Sequence, residues 1–259
     1  MEIWQAIVLG AIQGFTEFLP VSSSGHLMLL QNWFGITEGA LFFTIMLHVG
    51  TLIPVCIVLF KQILNLFKKP FKNLLYLVLA TIPAGILGIV FALCLDIDAI
   101  FANNIWLLSI TFTITAIELL VAETLSKRLP LINPIDAKTS LTMGVGQMVG
   151  VFPGISRSGT TITFGTFARV SKSKNADFTF LMSIPIILAA VVLEGYEVVS
   201  NGTIGSVDVI PLIVGVLTSA LTGYIAITFM LKIIKKADYK WFSLYLILLS
   251  VTNLIVSFT

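Results

Sequence analysis

Residues 13–26 read Q-G-F-T-E-F-L-P-V-S-S-S-G-H. This stretch brings a carboxylate, three consecutive hydroxyls and an imidazole into a chain that is 57% hydrophobic and only 11% charged. Gln13 and Glu17 are four residues apart, so they share one face of a helix. Pro20 ends that helix, because proline lacks an N–H and the residue before it avoids the helical conformation. The serines that follow are good N-cap residues, so the stretch predicts two short helices joined at a polar turn. Residues 17–26, around this turn, are called the first elbow.

The rest of the chain predicts an all-α polytopic membrane protein. Its mean hydropathy is +1.03 over 259 residues, more than a soluble domain of this length could bury. Both cysteines, Cys56 and Cys94, lie in apolar runs and are expected to be buried free thiols. The net charge of +2 and the absence of a basic stripe give no case for nucleic acid. Six apolar runs are each long enough to span a membrane: about 40–60, 74–94, 105–125, 176–194, 208–231 and 241–258.

Basic residues predict how the chain is threaded. If residues 1–34 and 138–170 form re-entrant helical hairpins, every Lys and Arg except Arg157 falls on the cytoplasmic side. The acidic loops at 96–98 and 194–208 then lie outside, with no basic residue. The four cytoplasmic clusters are 61–72, 127–138, 169–174 and 232–240.

The second hairpin repeats the first in sequence. Ser22-Ser23-Ser24-Gly25 matches Ser156-Arg157-Ser158-Gly159 at an offset of 134 residues, and two further pairs, Gly10 with Gly144 and Gln13 with Gln147, keep that offset. Because the predicted topology inserts the hairpins from opposite sides, the matches indicate an inverted-topology repeat, in which broken helices build a site near the midplane. We expect one integral membrane domain, 1–259, with repeats at about 1–125 and 135–259.

Both elbows predict anion binding. Each places unpaired amides at the start of a short helix, where the helix dipole also favours negative charge. The second elbow (residues 150–160) contains Arg157, whose planar guanidinium matches phosphate oxygens. A charged side chain at membrane depth is costly, so Arg157 needs an anionic partner. With Glu17, Ser23 and His26, these groups form a set suited to phosphoryl transfer.

The chain resembles the undecaprenyl-diphosphate phosphatase (bacitracin-resistance) family over essentially its whole length. The residues that carry the resemblance are Q-G-F-T-E-F-L-P-V-S-S-S-G-H and P-G-I-S-R-S-G-T-T. It implies hydrolysis of undecaprenyl diphosphate at the outer face of the bacterial cytoplasmic membrane, which recycles the lipid carrier of peptidoglycan synthesis. It also implies six spanning helices with four re-entrant half-helices, and a homodimer. The family's [E/Q]-x-x-x-E motif corresponds here to Gln13 and Glu17, and Gln13 carries no charge.

The expected catalytic residues are Glu17, Ser23, His26 and Arg157. Ser23 is the candidate nucleophile on the terminal phosphorus, and His26 would take its proton or protonate the leaving group. Direct attack by water, with His26 or Glu17 as the base, is the rival mechanism. The resemblance implies a divalent cation, Mg or Ca, near Glu17 and Gln13. The expected substrate-binding residues are Gln13, Ser22, Ser24, Gly25, Ser156, Ser158, Gly159 and Thr160.

Structural roles and a second function remain open at this point. Ser22 and Ser24 could serve only as helix caps, Gln147 and Ser156 could serve only repeat packing, and His48 is interpreted as structural or as lining the cavity. A transporter or flippase of polyprenyl phosphate is the alternative function, since inverted repeats with broken helices recur in transporters. A histidine beside a serine favours hydrolysis, because translocation requires neither group.

Overall fold

The computed structural model describes residues 1–37, 39–200, 208–236 and 238–258. In these ranges the chain forms α-helices and no β-strand, as the sequence predicts. The helices are α1 (Ile3–Phe18), α2 (Ser23–Trp33), α3 (Ala40–Val58), α4 (Phe60–Leu66), α5 (Lys72–Cys94), α6 (Ile97–Asn103), α7 (Leu107–Arg128), α8 (Ala137–Val149), α9 (Arg157–Phe167), α10 (Lys172–Ser200), α11 (Val209–Lys236) and α12 (Lys240–Phe258).

Within the described ranges, six helices are long and apolar enough to cross a membrane, which confirms the predicted multi-pass protein. They are α3, α5, α7, α10, α11 and α12. Helix α10 continues to Ser200, whereas the sequence predicted an acidic loop from residue 194. The remainder of that predicted loop, residues 201–207, lies outside the described residues.

The short helices lie where the two hairpins were expected. Helix α1 ends at Phe18, ahead of Pro20, and α2 begins at Ser23 with Ser22 as its N-cap. With 16 and 11 residues, α1 and α2 are about 24 and 17 Å long, less than the roughly 30 Å of a hydrocarbon core. Neither can cross alone, which is consistent with a re-entrant hairpin.

The ends of α2 and α9 correspond in detail at the 134-residue offset. Both helices have 11 residues, and in both the N-cap serine oxygen accepts a bond from the glycine three residues later. Each helix is followed by a residue in the left-handed conformation, Gly35 (φ 63°) and Arg169 (φ 56°). These matches support the repeat that the sequence predicts.

Each short first helix packs on a spanning helix of the other half: α1 lies against α11, and α8 lies against α5. Glycines permit the close approach. A Cβ on Gly10 would lie 2.4 Å from the carbonyl oxygen of Gly215, and one on Gly144 would lie 2.6 Å from that of Ala80. The two halves are therefore in close contact through these helices.

The prediction of buried thiols is wrong. Cys56 and Cys94 are free, as expected, but both are exposed on the surface of the spanning helices. The prediction treated apolar surroundings in sequence as a sign of burial. In a membrane protein, the apolar face of a helix can face lipid, so an apolar neighbourhood does not place a residue inside.

Candidate active site

The two elbows touch each other through small residues. A Cβ on Gly25 would lie 2.7 Å from the ring of Phe112 and 2.9 Å from the Cα of Gly154. Gly154 has φ +82°, a backbone conformation that residues with a side chain rarely adopt. The Ser158 hydroxyl also donates to the carbonyl oxygen of Leu19, at 3.3 Å. These contacts bring the start of α9 against the end of α1.

Glu17 is the acceptor on which the polar side chains of both elbows converge. Its carboxylate is buried and forms an ion pair with Arg157 Nη2 through Oε1. The other oxygen, Oε2, accepts from the Ser23 hydroxyl at 2.7 Å and from Gln13 Nε2 at 3.2 Å. The structure therefore brings together Glu17, Ser23, Gln13 and Arg157 from three helices.

Two buried polar atoms in this group are not hydrogen-bonded to any described residue. Among the described residues, Arg157 Nη1 and Gln13 Oε1 have no hydrogen-bond partner. Buried polar atoms nearly always have one, so a free donor and a free acceptor beside a carboxylate indicate a place where a ligand binds. The guanidinium suits a phosphate oxygen, and the amide oxygen suits a cation or a hydroxyl.

His26 has different partners from those expected. Its Nδ1 lies 2.7 Å from the carbonyl oxygen of Ser22, and its Nε2 lies 2.6 Å from the Tyr245 hydroxyl. Both ring nitrogens are therefore engaged away from Ser23, whose hydroxyl donates to Glu17. Ser22 has φ 71°, so the chain turns sharply just before Ser23. A helical spacing argument could not anticipate that turn.

His48 is the histidine nearest to the carboxylate. Its Nε2 lies 3.7 Å from Glu17 Oε2, and its Nδ1 lies 2.9 Å from the carbonyl oxygen of Thr44. Since a carbonyl oxygen only accepts, His48 Nδ1 carries a hydrogen. The sequence offered His48 only as a structural residue or a cavity-lining one, and the structure places its ring beside the carboxylate of Glu17.

The other expected binding residues divide into two groups. Ser22 and Ser156 cap α2 and α9, and Ser24 is an exposed residue at the start of α2. The Thr160 hydroxyl is fully buried and donates to backbone carbonyls, including that of Ser156 at 3.1 Å. Gln147, also fully buried, donates to the carbonyl oxygen of Ala80 at 3.5 Å. Thr160 thus bonds within the second repeat. Gln147 instead bonds to α5 of the other half, and its Oε1, like that of Gln13, has no hydrogen-bond partner among the described residues. Gln13, by contrast, donates to Glu17.

Comparison with known proteins identifies the family of this chain. The sequence pattern of the family described as bacitracin resistance protein BacA matches residues 6–252. The chain belongs to the BacA family. It is 39% identical over 259 residues to the undecaprenyl-diphosphatase of Carboxydothermus hydrogenoformans, covering 99% of this chain and 98% of that protein. It is 38% identical to the undecaprenyl-diphosphatase of Thermodesulfovibrio yellowstonii over 250 residues, covering 93% and 94%.

The donor set of this BacA family member fits one kind of metal site. In the described parts of the chain, no group of three or more His, Cys, Asp or Glu side chains could hold a metal ion. Glu17 supplies one carboxylate and Gln13 one free amide oxygen. This set suits a Mg²⁺ ion that keeps most of its ligands as water and substrate phosphate, and it is too small for an all-protein Ca²⁺ site.

Proposed function

We propose that this chain hydrolyses undecaprenyl diphosphate to undecaprenyl phosphate and inorganic phosphate. This activity would recycle the lipid carrier of peptidoglycan synthesis and confer bacitracin resistance. The observation that carries the proposal is the convergence of Ser23 and Arg157, from opposite elbows, on the buried carboxylate of Glu17. Relatives that match nearly the whole chain have the same activity in their names.

Arg157 and the elbow amides would bind the diphosphate. Arg157 uses Nη2 for Glu17 and has Nη1 free, so it can hold a phosphate oxygen without giving up its ion pair. The first-turn amides of α2 and α9 lack helical acceptors, and Gly25 in the first turn of α2 lies close to Gly154 of the second elbow. Positive groups are thus placed where charge develops on the transferred phosphoryl group.

Ser23 would attack the terminal phosphorus while Glu17 takes its proton. The hydroxyl already donates to Glu17 Oε2 at 2.7 Å, within the range that a general base requires. The Ser23 oxygen forms a bond to phosphorus, and the bond from phosphorus to the bridging oxygen breaks, which releases undecaprenyl phosphate. Water then attacks the phosphoserine, the bond between phosphorus and the Ser23 oxygen breaks, and Glu17 returns its proton to that oxygen, which releases phosphate and restores both residues. Glu17 takes the role of base that the sequence offered first to His26.

The rival chemistry is direct attack by water with Glu17 as the base. The two mechanisms differ in whether a phosphoserine forms. Purified protein is mixed with substrate labelled in the terminal phosphate, quenched in acid and assayed for protein-bound label. We expect label on the wild type and none on Ser23→Ala, with Ser257→Ala as a matched serine control on α12. Wild-type rates of phosphate release in Ser23→Ala would contradict the nucleophile role.

Gln13 and Glu17 would hold a magnesium ion bound mainly through substrate and water. When bound, the ion neutralises charge on phosphate oxygens. We expect a chelator to abolish phosphate release and added Mg²⁺ to restore it. Gln13→Ala should raise the Mg²⁺ concentration that half-restores activity, and an unchanged requirement would remove Gln13 from the site.

The chain would lie in the bacterial cytoplasmic membrane with its active site facing outside. The four basic clusters support this orientation, because Lys and Arg favour the cytoplasmic side. Cysteine labelling tests it in a variant whose two native cysteines, Cys56 and Cys94, are replaced by serine. In that variant, a cysteine replacing Asp98 should react with an impermeant maleimide in intact cells, and one replacing Lys68 should not. The family resemblance also implies a homodimer, and light scattering in detergent tests that assembly.

Hydrolysis is favoured over the flippase alternative. Detergent-solubilised protein has no bilayer across which to move lipid, so phosphate release from a polyprenyl diphosphate in detergent measures chemistry alone. We expect turnover under these conditions. A protein that only moves polyprenyl phosphate would release none.

A further inference from the structure

The two elbows share the same cap but differ in the backbone of the cap residue. Ser22 and Ser156 each accept a bond from a glycine amide, at 3.3 and 3.1 Å. Ser22 nevertheless has φ 71°, whereas Ser156 has φ −77°. A residue with a side chain adopts positive φ only at a cost, so contacts around Ser22 must hold it there. The strained conformation occurs at the elbow that presents Ser23.

His26 is the side chain that holds Ser22. Its Nδ1 lies 2.7 Å from the Ser22 carbonyl oxygen, and because that oxygen can only accept, Nδ1 carries the hydrogen. At the matching position of the second repeat, the Thr160 hydroxyl donates to the Ser156 carbonyl oxygen at 3.1 Å. The repeats therefore use the same kind of bond, made by an imidazole where the backbone is strained and by a hydroxyl where it is relaxed.

Tyr245 completes the contacts of the His26 ring. With a hydrogen on Nδ1, a neutral ring has a lone pair on Nε2, and the Tyr245 hydroxyl lies 2.6 Å from that nitrogen. The two rings are also nearly parallel, at 11°, with centroids 5.7 Å apart. Tyr245 belongs to α12, in the second half of the chain. It reaches the first elbow without contacting Ser23 or Glu17 among its described hydrogen bonds.

We propose that Tyr245 is a positioning residue for phosphate release. Its hydroxyl donates to His26 Nε2 and so fixes the orientation of the ring, that ring holds Ser22 at its positive φ, and Ser22 directs Ser23 toward Glu17. This inference rests on the proposed hydrolysis. It gives His26 a role through the backbone, as a hydrogen-bond donor to Ser22, in place of proton transfer to substrate.

Kinetics of four variants test the proposal. Tyr245→Phe removes only the hydroxyl and should lower kcat about tenfold with KM nearly unchanged, because Arg157 still binds the diphosphate. Tyr224→Phe, an exposed tyrosine on α11, is the matched control and should match the wild type. His26→Ala should lose about a hundredfold in kcat, whereas His26→Asn, whose amide can replace the Nδ1 donor, should stay within about tenfold of the wild type.

The double variant His26→Asn/Tyr245→Phe separates positioning from direct catalysis. If Tyr245 acts only through the His26 ring, the double variant should be as active as His26→Asn alone. If His26 transfers a proton to or from the reacting groups, His26→Asn should be as inactive as His26→Ala. That result would overturn the proposal, and so would wild-type kcat in Tyr245→Phe.

Ring-nitrogen NMR gives a readout that does not depend on turnover. The chain has two histidines, so ¹⁵N-histidine labelling yields two rings, and His26→Asn identifies the His26 signals by their loss. We expect a protonated Nδ1 and a hydrogen-bonded, unprotonated Nε2 that shifts in Tyr245→Phe. An unshifted signal refutes the tyrosine contact even if hydrolysis stands. If the wild type releases no phosphate, the proposed function fails while the NMR result still decides the contact.

Discussion

Glu17 and Arg157 are 140 residues apart in the chain and form an ion pair between the two elbows. Their side chains are only 3% and 14% exposed. Removing one partner of a buried ion pair leaves the other charge uncompensated, which is strongly destabilising. Here each elbow supplies one of the two partners. The charge balance of the site therefore depends on the docking of the two halves.

Arg157→Lys tests the planar guanidinium. Lysine keeps the charge, but it cannot hold Glu17 with one nitrogen and a phosphate oxygen with another in a fixed plane. We expect phosphate release to fall by about two to three orders of magnitude, the usual cost of a lost transition-state donor. Initial rates with a polyprenyl diphosphate in detergent measure the effect, and Arg128→Lys, exposed at the end of α7, is the control. A near-normal rate would show that Arg157 contributes only its positive charge to phosphate release and that the planar guanidinium is not required.

The stability of variants tests whether breaking the ion pair leaves an uncompensated buried charge. Glu17→Gln and Arg157→Gln each leave one buried charge alone, and we expect each to destabilise the protein by about 3 kcal/mol. The double variant Glu17→Gln/Arg157→Gln has no unpaired charge and should unfold at a higher temperature than either single variant. Thermal unfolding in detergent gives the comparison. Strictly additive losses would indicate that the two side chains do not interact.

The sequence predicted the helices and the meeting of the elbows because those features follow from local signals. Hydropathy located the six spans, Pro20 located the end of α1, and the serine caps located the starts of α2 and α9. The cost of a lone charge at membrane depth predicted that Arg157 needs an anionic partner, whereas its ion pair with Glu17 is a finding of the structure. These arguments need only composition, spacing and topology.

Contacts made by side chains from distant helices could not be predicted in the same way. His48 and Tyr245 lie in ordinary apolar runs, and only the packing of α3 and α12 brings them to Glu17 and His26. The positive φ of Ser22 was also hidden, because serine rarely adopts it and no glycine marks the position. That backbone turn is the reason why Ser23 faces Glu17.

Gly25→Ala tests the close approach of the elbows. The added methyl would lie 2.7 Å from Phe112 and 2.9 Å from the Gly154 backbone, so the elbows must move apart. We expect a loss of about 1–3 kcal/mol in stability and a large loss of phosphate release, since Arg157 withdraws from Glu17. Gly85→Ala on α5 is the matched control, because a methyl there meets nothing within 4 Å. Equal activity of the two variants would show that the contact is not required.

Two glutamates on α7 give opposite predictions for stability. Glu123 Oε2 accepts from the backbone amides of Tyr239 and Lys240, each at 2.7 Å, and so caps the start of α12. Glu123→Gln removes the charge that favours the positive end of that helix and should cost about 1 kcal/mol. A lowered unfolding temperature in detergent, with little change in the rate of phosphate release below that temperature, is the expected result.

Glu118→Gln is the matched change on the same helix. Glu118 Oε2 is buried and has no hydrogen-bond partner among the described residues, so its charge is not compensated there. Removing the charge should leave the unfolding temperature unchanged or raise it, because an unpaired buried carboxylate opposes folding. A drop in unfolding temperature as large as that of Glu123→Gln would show that Glu118 has a stabilising partner in the folded protein. It would also show that both variants lose stability because a charge is removed, and not because the cap of α12 is weakened.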